Sequence, residues 1–583
     1  MTRPKTSLLL LAALACAAAF AGLGWDTPSA ARAARVLSPA WDRARLFDAL
    51  TSGWNDIYDK SAGATPLAAE AAGKYSTHLK GEFRADFRNA PPPPELYNSY
   101  RSMLIRSRYP DEALPLSDLA RMNPAKLDFR PPSFLYGGGY IYPLGAYYAA
   151  LSLTGAIDRV PLRRALEAPG ILGRIYLAGR ALSALALLGI CVLAALIAAR
   201  LCPGYPPAAA AAAVLSLPSV VVYSHYLTPH LWAALWGLTS VYCALLAVPG
   251  LRLRPLLASA ACLALAAGSY WSALHAAVLV FPVLFSRGAA DLDKGGLKRL
   301  LYACLAGLAV FFALNPYLPF NWGSAVYEVF PGGSTPWTGP VAGTAGFLSG
   351  VMPGLAGPVM ALLIPAGCLW GLFFSGSPLL RNLSAGTLVF IIPAAMSVTP
   401  DFPSGIRRFF PWLITGGLIG TVFLLRLLAR LSAPWRAAAL AAALAPGLVM
   451  SGVYLAGFTD ASGPRSTFYR MADKLDSMPA GQTLGMTDFP QPVSMPAFRL
   501  DRWKVQLADP ATLNSADYKN PPDYLLVTFD GKPALAGLLK ARYDLEAGFY
   551  PRGVPGFAPD VLLCAANPPL ELYKLRSGKA AKP

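Results

Sequence analysis

Charge is what this 583-residue chain has least of: 14% of its residues are Asp, Glu, Lys or Arg, where a soluble globular chain carries about 25%. The deficit is concentrated in apolar runs at 177–201, 206–223, 255–286, 409–431 and 437–458. A soluble helix keeps a polar face and these runs have none, which excludes a large soluble core. Cysteine is scarce and unpatterned, with no CxxC pair. Cys16, Cys191, Cys202, Cys243, Cys262, Cys304 and Cys368 lie in or beside apolar runs, and Cys564 stands alone in the C-terminal region. These are small core residues, and neither a zinc site nor a disulfide framework is indicated. Stripes of interleaved aromatic and basic residues, the mark of single-strand nucleic-acid binders, are lacking, so the net charge of +18 does not point to nucleic acid.

What the chain has is length of apolar helix, with a mean hydropathy of +0.43. A bilayer core takes about 20 apolar residues per crossing. Residues 1–23, with Arg3 and Lys5 ahead of an apolar stretch, read as an uncleaved first helix with its N-terminus inside; a cleaved signal peptide is the competing reading. Further spans are expected at 175–201, 206–224, 231–249, 255–269, 271–286, 299–316, 352–375, 383–398, 409–431 and 437–458. That makes about 11 in all. Arg200, Arg252, Arg254, Arg287, Lys294, Lys298, Arg299, Arg381, Arg426, Arg430 and Arg436 then fall in the inward loops, as the positive-inside rule requires. The fold class expected is an α-helical polytopic membrane protein with a small extracytoplasmic α/β domain at 459–583. The expected segments are a first helix at 1–23, an extracytoplasmic loop at 24–173, a bundle at 174–458 and that tail. Within the loop, 134–157 reads as an interfacial or re-entrant helix, because Gly137, Gly138, Gly139 and Pro143 interrupt it. In the tail, 465–478 and 533–542 read as helices, and Thr483–Asp488, Tyr524–Phe529 and Leu570–Leu575 as strands.

The loop also carries an ordered set of short motifs: Asp111-Glu112, Asn123-Pro124, Arg130-Pro131-Pro132, Tyr142-Pro143 and Gly179-Arg180-Ala181-Leu182-Ser183-Ala184. Later come Asn315-Pro316-Tyr317, Arg407-Arg408-Phe409-Phe410-Pro411 and Glu571-Leu572-Tyr573-Lys574-Leu575. In this order the set resembles the GT-C glycosyltransferases, and within them family 39, the protein mannosyltransferase and aminoarabinose transferase group. The resemblance implies transfer of a sugar, with inversion, from a polyprenyl-phosphate donor to an extracytoplasmic hydroxyl of a protein or an envelope glycolipid, at the cytoplasmic membrane. Asp111 is then the general base, taking the proton of the attacking alcohol, with Glu112 supporting it. Arg130, Arg407 and Arg408 meet the carrier phosphate, whose charge guanidiniums hold well.

The sequence departs from the family where relatives carry an acidic residue after the third span. Here it reads Ser224-His225-Tyr226-Leu227-Thr228-Pro229-His230, and His230 takes that place. His225 and His230 are candidate ligands for substrate or for a divalent metal ion, the one cofactor the sequence suggests. A further departure is Ser269-Tyr270-Trp271, followed by His275, near the sixth span. A long insertion before Tyr97 separates the Asp-Glu pair from the first helix, which makes Asp26 a reserve candidate for the base. A transporter or lipid flippase, a non-catalytic envelope-glycan assembly protein, and an oligosaccharide ligase or polymerase are the competing classes. Ionisable residues avoid the span centres, against the first of these.

Overall fold

In a computed structural model the described residues are 3–60, 82–88, 90–248, 250–286, 294–321, 323, 344–398, 403–515, 518, 520–528, 532–555, 557, 559–561 and 563–576; Arg287 of the inward loops lies outside them. They divide into two units. One gathers Met1–Leu23, Leu114–Ala149 and Gly179–Leu455, and the other Gly24–Ala113, Ala150–Ala178 and Ala456–Pro583.

In the first unit the apolar runs form helices, but fewer full crossings than the sequence suggests. Among the described residues six helices are long and apolar enough to span a bilayer: Gly170–Leu201, Pro229–Ala247, Lys294–Leu314, Pro378–Ala395, Ser404–Arg430 and Ala433–Ala461. A seventh exists if the pair Thr344–Ala356 and Pro358–Phe373, bent by 119°, is one span. Among the described residues fewer than the expected total of about 11 runs form one helix of that length, because apolar composition does not guarantee continuity. The run at 206–224 is two short helices, Pro207–Leu215 and Pro218–Tyr223. A residue ahead of proline is driven out of the helical region, and Leu217 stands at φ −96°, ψ 95°. The runs at 255–269 and 271–286 become Leu253–Ser269 and Trp271–Leu284, both under 18 residues, parted by extended Tyr270 at φ −154°.

Broken helices inside a membrane protein leave carbonyls that neighbours must satisfy. The Ser219 hydroxyl donates to the Leu355 carbonyl at 2.9 Å, and the Ser451 hydroxyl to the Leu215 carbonyl at 2.8 Å. Gly357, at the 119° bend, has φ +79°, and a Cβ there would stand 2.8 Å from the Gly447 Cα. A Cβ on Gly447 would come 2.2 Å from the Ser216 carbonyl oxygen. Two interruptions, at Ser216–Leu217 and at Gly357, thus close on the continuous helix Ala433–Ala461 without room for a side chain.

The second unit is built on a six-stranded mixed sheet, in the order β1-β3-β2-β4-β6-β5, where β1 is Glu82–Asp86, β2 Thr483–Met486, β3 Lys504–Ala508, β4 Tyr524–Thr528, β5 Tyr543–Phe549 and β6 Leu570–Leu575. β2 runs parallel to β3 and β4, while β1–β3, β4–β6 and β5–β6 are antiparallel. Alternation along β4 sends Tyr524 and Leu526 to a core with Phe468, Met471 and Trp503, and Leu525 and Val527 to one with Leu535, Leu538 and Leu539. The expected helices appear as Thr467–Ser477 and Lys532–Arg542. The strand at one edge, β1, comes from the first loop and not from the tail.

Candidate functional site

The arginine pair lies in the first unit on a tight turn, Pro403–Phe409, that runs into the helix Phe410–Leu427. Arg407 and Arg408 are half-buried there. The Tyr223 hydroxyl donates to the Ser404 carbonyl at 3.3 Å, which ties the turn to the short helix Pro218–Tyr223. Pro229 opens the helix Pro229–Ala247, where its missing N–H costs nothing, and places His230 in the first turn. The His230 ring is buried in a cage of Tyr270, Tyr223 and Tyr136, with ring centroids 4.6, 5.4 and 6.2 Å away. Its Nδ1 is buried and makes no hydrogen bond among the described residues. Arg407 and Arg408 are both within electrostatic reach of this imidazole. Two fork-shaped cations within electrostatic reach of a tyrosine-ringed imidazole form a set that suits a phosphate oxyanion. The three tyrosines were not among the sequence candidates; they come from distant parts of the chain and share no local pattern.

His225 does other work. Its Nε2 faces the Ala21 carbonyl at 2.8 Å, and its Nδ1 faces the Val221 carbonyl at 3.1 Å, so the ring fastens the chain after the first helix. Among the described residues no group of three or more His, Cys, Asp or Glu is placed to hold a metal ion.

The glycine and asparagine motifs meet. The Gly137 N–H donates to the Ser269 carbonyl at 3.1 Å, and the Gly138 N–H to the Asn315 Oδ1 at 3.0 Å. A Cβ on Gly137 or Gly138 would stand 1.9 Å from the Gly268 or the Leu314 carbonyl oxygen. Gly138 starts the helix Gly138–Leu153. Trp271 reaches across to donate to the Phe134 carbonyl at 3.1 Å. Arg130, on the loop leading into this corner, is exposed, and its backbone N–H donates to Asp128 Oδ1 at 3.2 Å.

Asp111 and Glu112 belong to the second unit. They share the one-turn helix Pro110–Glu112, and adjacent positions do not face the same way. Glu112 is fully buried, and its Oε2 accepts from the Ser107 hydroxyl at 2.5 Å. Asp111 is half-exposed. One carboxylate is thus enclosed, and the other is partly open. Asp26 is the counter-ion of two buried guanidiniums, 2.9 Å from Arg108 and 3.9 Å from Arg32. Burial pulls Arg108 below its ordinary range, against the opposing charge of Asp26. Arg108 also donates to the Ala566 carbonyl at 2.6 Å and lies 3.5 Å over the Phe468 ring. Arg32 donates to the Arg106 carbonyl at 2.8 Å.

No protein-family model matches the chain, and no curated protein does. Among solved structures it is similar to ArnT from Cupriavidus metallidurans. In the apo state the identity is 16% and the TM-score 0.39; with undecaprenyl phosphate bound they are 15% and 0.40. Both matches cover 79% of this chain and 93% of that one. It is also similar to the archaeal oligosaccharyltransferase AglB from Archaeoglobus fulgidus in complex with an inhibitory peptide and a dolichol-phosphate, with 14% identity, a TM-score of 0.37, and 77% and 67% of the two chains covered.

Proposed function

We propose that this chain is an inverting glycosyltransferase of the family 39 kind, taking a sugar from a polyprenyl-phosphate carrier and joining it to an extracytoplasmic hydroxyl. The observation that carries the reading is the corner formed by Arg407, Arg408 and the caged His230, where one membrane helix begins and another is about to. A phosphate on an isoprenoid tail needs cations at the mouth of an apolar bundle, and an enzyme with a lipid donor needs the bundle itself.

Asp111 accepts the proton of the acceptor hydroxyl as its oxygen attacks the anomeric carbon. The bond from that carbon to the phosphate oxygen breaks on the opposite face, and the configuration inverts. The departing polyprenyl phosphate keeps the bonding electrons, and Arg407 and Arg408 stabilise the charge, more effectively away from bulk water. Arg130, exposed on its loop, is assigned to the same phosphate as it arrives or leaves. The buried Glu112 fixes the turn that aims Asp111 through its bond to Ser107.

The test uses the full chain in nanodiscs with a radiolabelled polyprenyl-phosphate sugar. Asp111→Asn is expected to lower transfer by about 100-fold or more while carrier binding persists, and Arg407→Ala with Arg408→Ala to weaken carrier binding. Wild-type turnover in Asp111→Asn would remove the base from the scheme. A wild type that binds carrier and transfers nothing would favour an assembly protein or flippase.

A further inference from the structure

The second unit holds a cavity of about 560 Å³ that the transferase reading does not use. Its wall is one side of the helix Ala30–Val36, where Ala30 and Ala34 are exposed small residues, and its floor includes buried Phe47 and Leu166. Two exposed cations stand at its rim, Arg43 at the start of the helix Arg43–Lys60 and Arg174 in the second turn of Gly170–Leu201. Glu167 also lines it, but its charge is taken by Arg163 at 2.8 Å and Arg164 at 3.6 Å. Arg43 has no ion pair among the described residues. Arg174 pairs with Asp158 at 2.8 Å, with 53% and 55% of the two side chains exposed, a solvated contact that a phosphate can share.

The helix that carries Arg174 sets the depth of this cavity. Between Arg180 and Arg200 it holds only uncharged residues, 181–199. At ~1.5 Å per residue that stretch measures roughly 28 Å, close to the ~30 Å of a bilayer core. Arg174 then lies roughly 9 Å beyond the core edge, at the level of the head groups. A concave surface with an apolar floor and a cationic rim at that depth matches one chemistry, an acyl chain ending in a phosphate.

We infer that the cavity between the Ala30–Val36 helix and the first turns of Gly170–Leu201 binds an anionic phospholipid, its phosphate at Arg43 and Arg174 and the top of an acyl chain along the alanine face. The site is independent of sugar transfer and stands or falls without it.

The experiment places the photo-crosslinker p-benzoylphenylalanine at exposed Ala34 of the full chain, reconstituted in nanodiscs of phosphatidylcholine alone or mixed with phosphatidylglycerol. Adducts are identified by mass spectrometry. Phosphatidylglycerol is expected to be captured in preference to phosphatidylcholine. Arg43→Ala should cut that capture about fivefold, the weight of one basic residue at an anionic surface. Arg43 is exposed and has no ion pair among the described residues, so its removal leaves the melting temperature unchanged. Equal capture of the two lipids, or capture indifferent to Arg43→Ala, overturns the proposal. So does capture abolished by inorganic phosphate, which would make this a small-anion site.

Discussion

At the scale of the residue, the chain separates a partly exposed carboxylate, Asp111, from carboxylates that are enclosed, Glu112 and Asp26. Asp26 sits at φ +38° with Arg108 and Arg32 around it. Removing one member of a buried ion pair costs about 3–5 kcal/mol, because the partner charge stays buried alone. Asp26→Asn is therefore expected to lose roughly that much stability, read as a fall in the unfolding midpoint of detergent-solubilised protein. If Asp26→Asn stays stable yet loses transfer, the proton falls to Asp26 instead of Asp111. The sequence showed the acidic dipeptide plainly. It could not show that Glu112 is walled in and Asp111 is not, nor that Asp26 meets Arg108, since those partners are joined only by the fold. The same holds for His230: its place in the motif was visible, and its tyrosine cage was not.

At the scale of the element, periodicity was a good guide where one side of an element is wet. The tail helices and β2, β4 and β6 emerged from the sequence within a few residues, because amphipathic faces and apolar runs of strand length announce them. β3, β5 and β1 did not: β1 reads Glu-Phe-Arg-Ala-Asp, and β5 carries exposed Asp544 and Glu546. In the membrane unit the missing information was the interruptions. Gly357 has to accept both a positive φ and the backbone of Gly447. Gly357→Ala is expected to cost about 1–3 kcal/mol from overpacking alone, more with backbone strain, seen as lower monodisperse yield and a lower melting temperature.

β6 offers a pH test at this scale. Glu571 accepts from Lys532 Nζ at 2.6 Å, the Tyr550 hydroxyl at 2.6 Å and the Tyr573 hydroxyl at 2.7 Å. Burial works against its ionisation, but the three donors outweigh burial and hold it below its ordinary 4.5. A lowered carboxylate contributes stability that is complete above the unfolded value and is lost as pH falls through the folded one. The melting temperature of the wild type should therefore fall more steeply below pH 4.5 than that of Glu571→Gln, which starts lower by about 2 kcal/mol of stability. Parallel curves would show that Glu571 titrates as an ordinary carboxylate.

At the scale of the whole molecule, the hydropathy profile identified a polytopic membrane protein, and several of its apolar runs are broken into shorter helices. The basic residues of the short loops imply, by the positive-inside rule, an orientation with the tail outside. It predicts that an alkaline phosphatase fused after the tail is active and a fluorescent protein fused there is dark; the reverse pattern would invert the topology.

The pairing of β1 with β3 also sets a schedule for biosynthesis. Glu82 and Gln506 are hydrogen-bonded neighbours 424 residues apart. At the ribosome's ~5–20 residues per second, the loop strand waits on the order of 20 to 85 seconds for its partner. Through that interval its edge is open to mispairing, and the alternating charges of Glu82, Arg84 and Asp86 are a form of protection that a nascent strand so long unmatched requires.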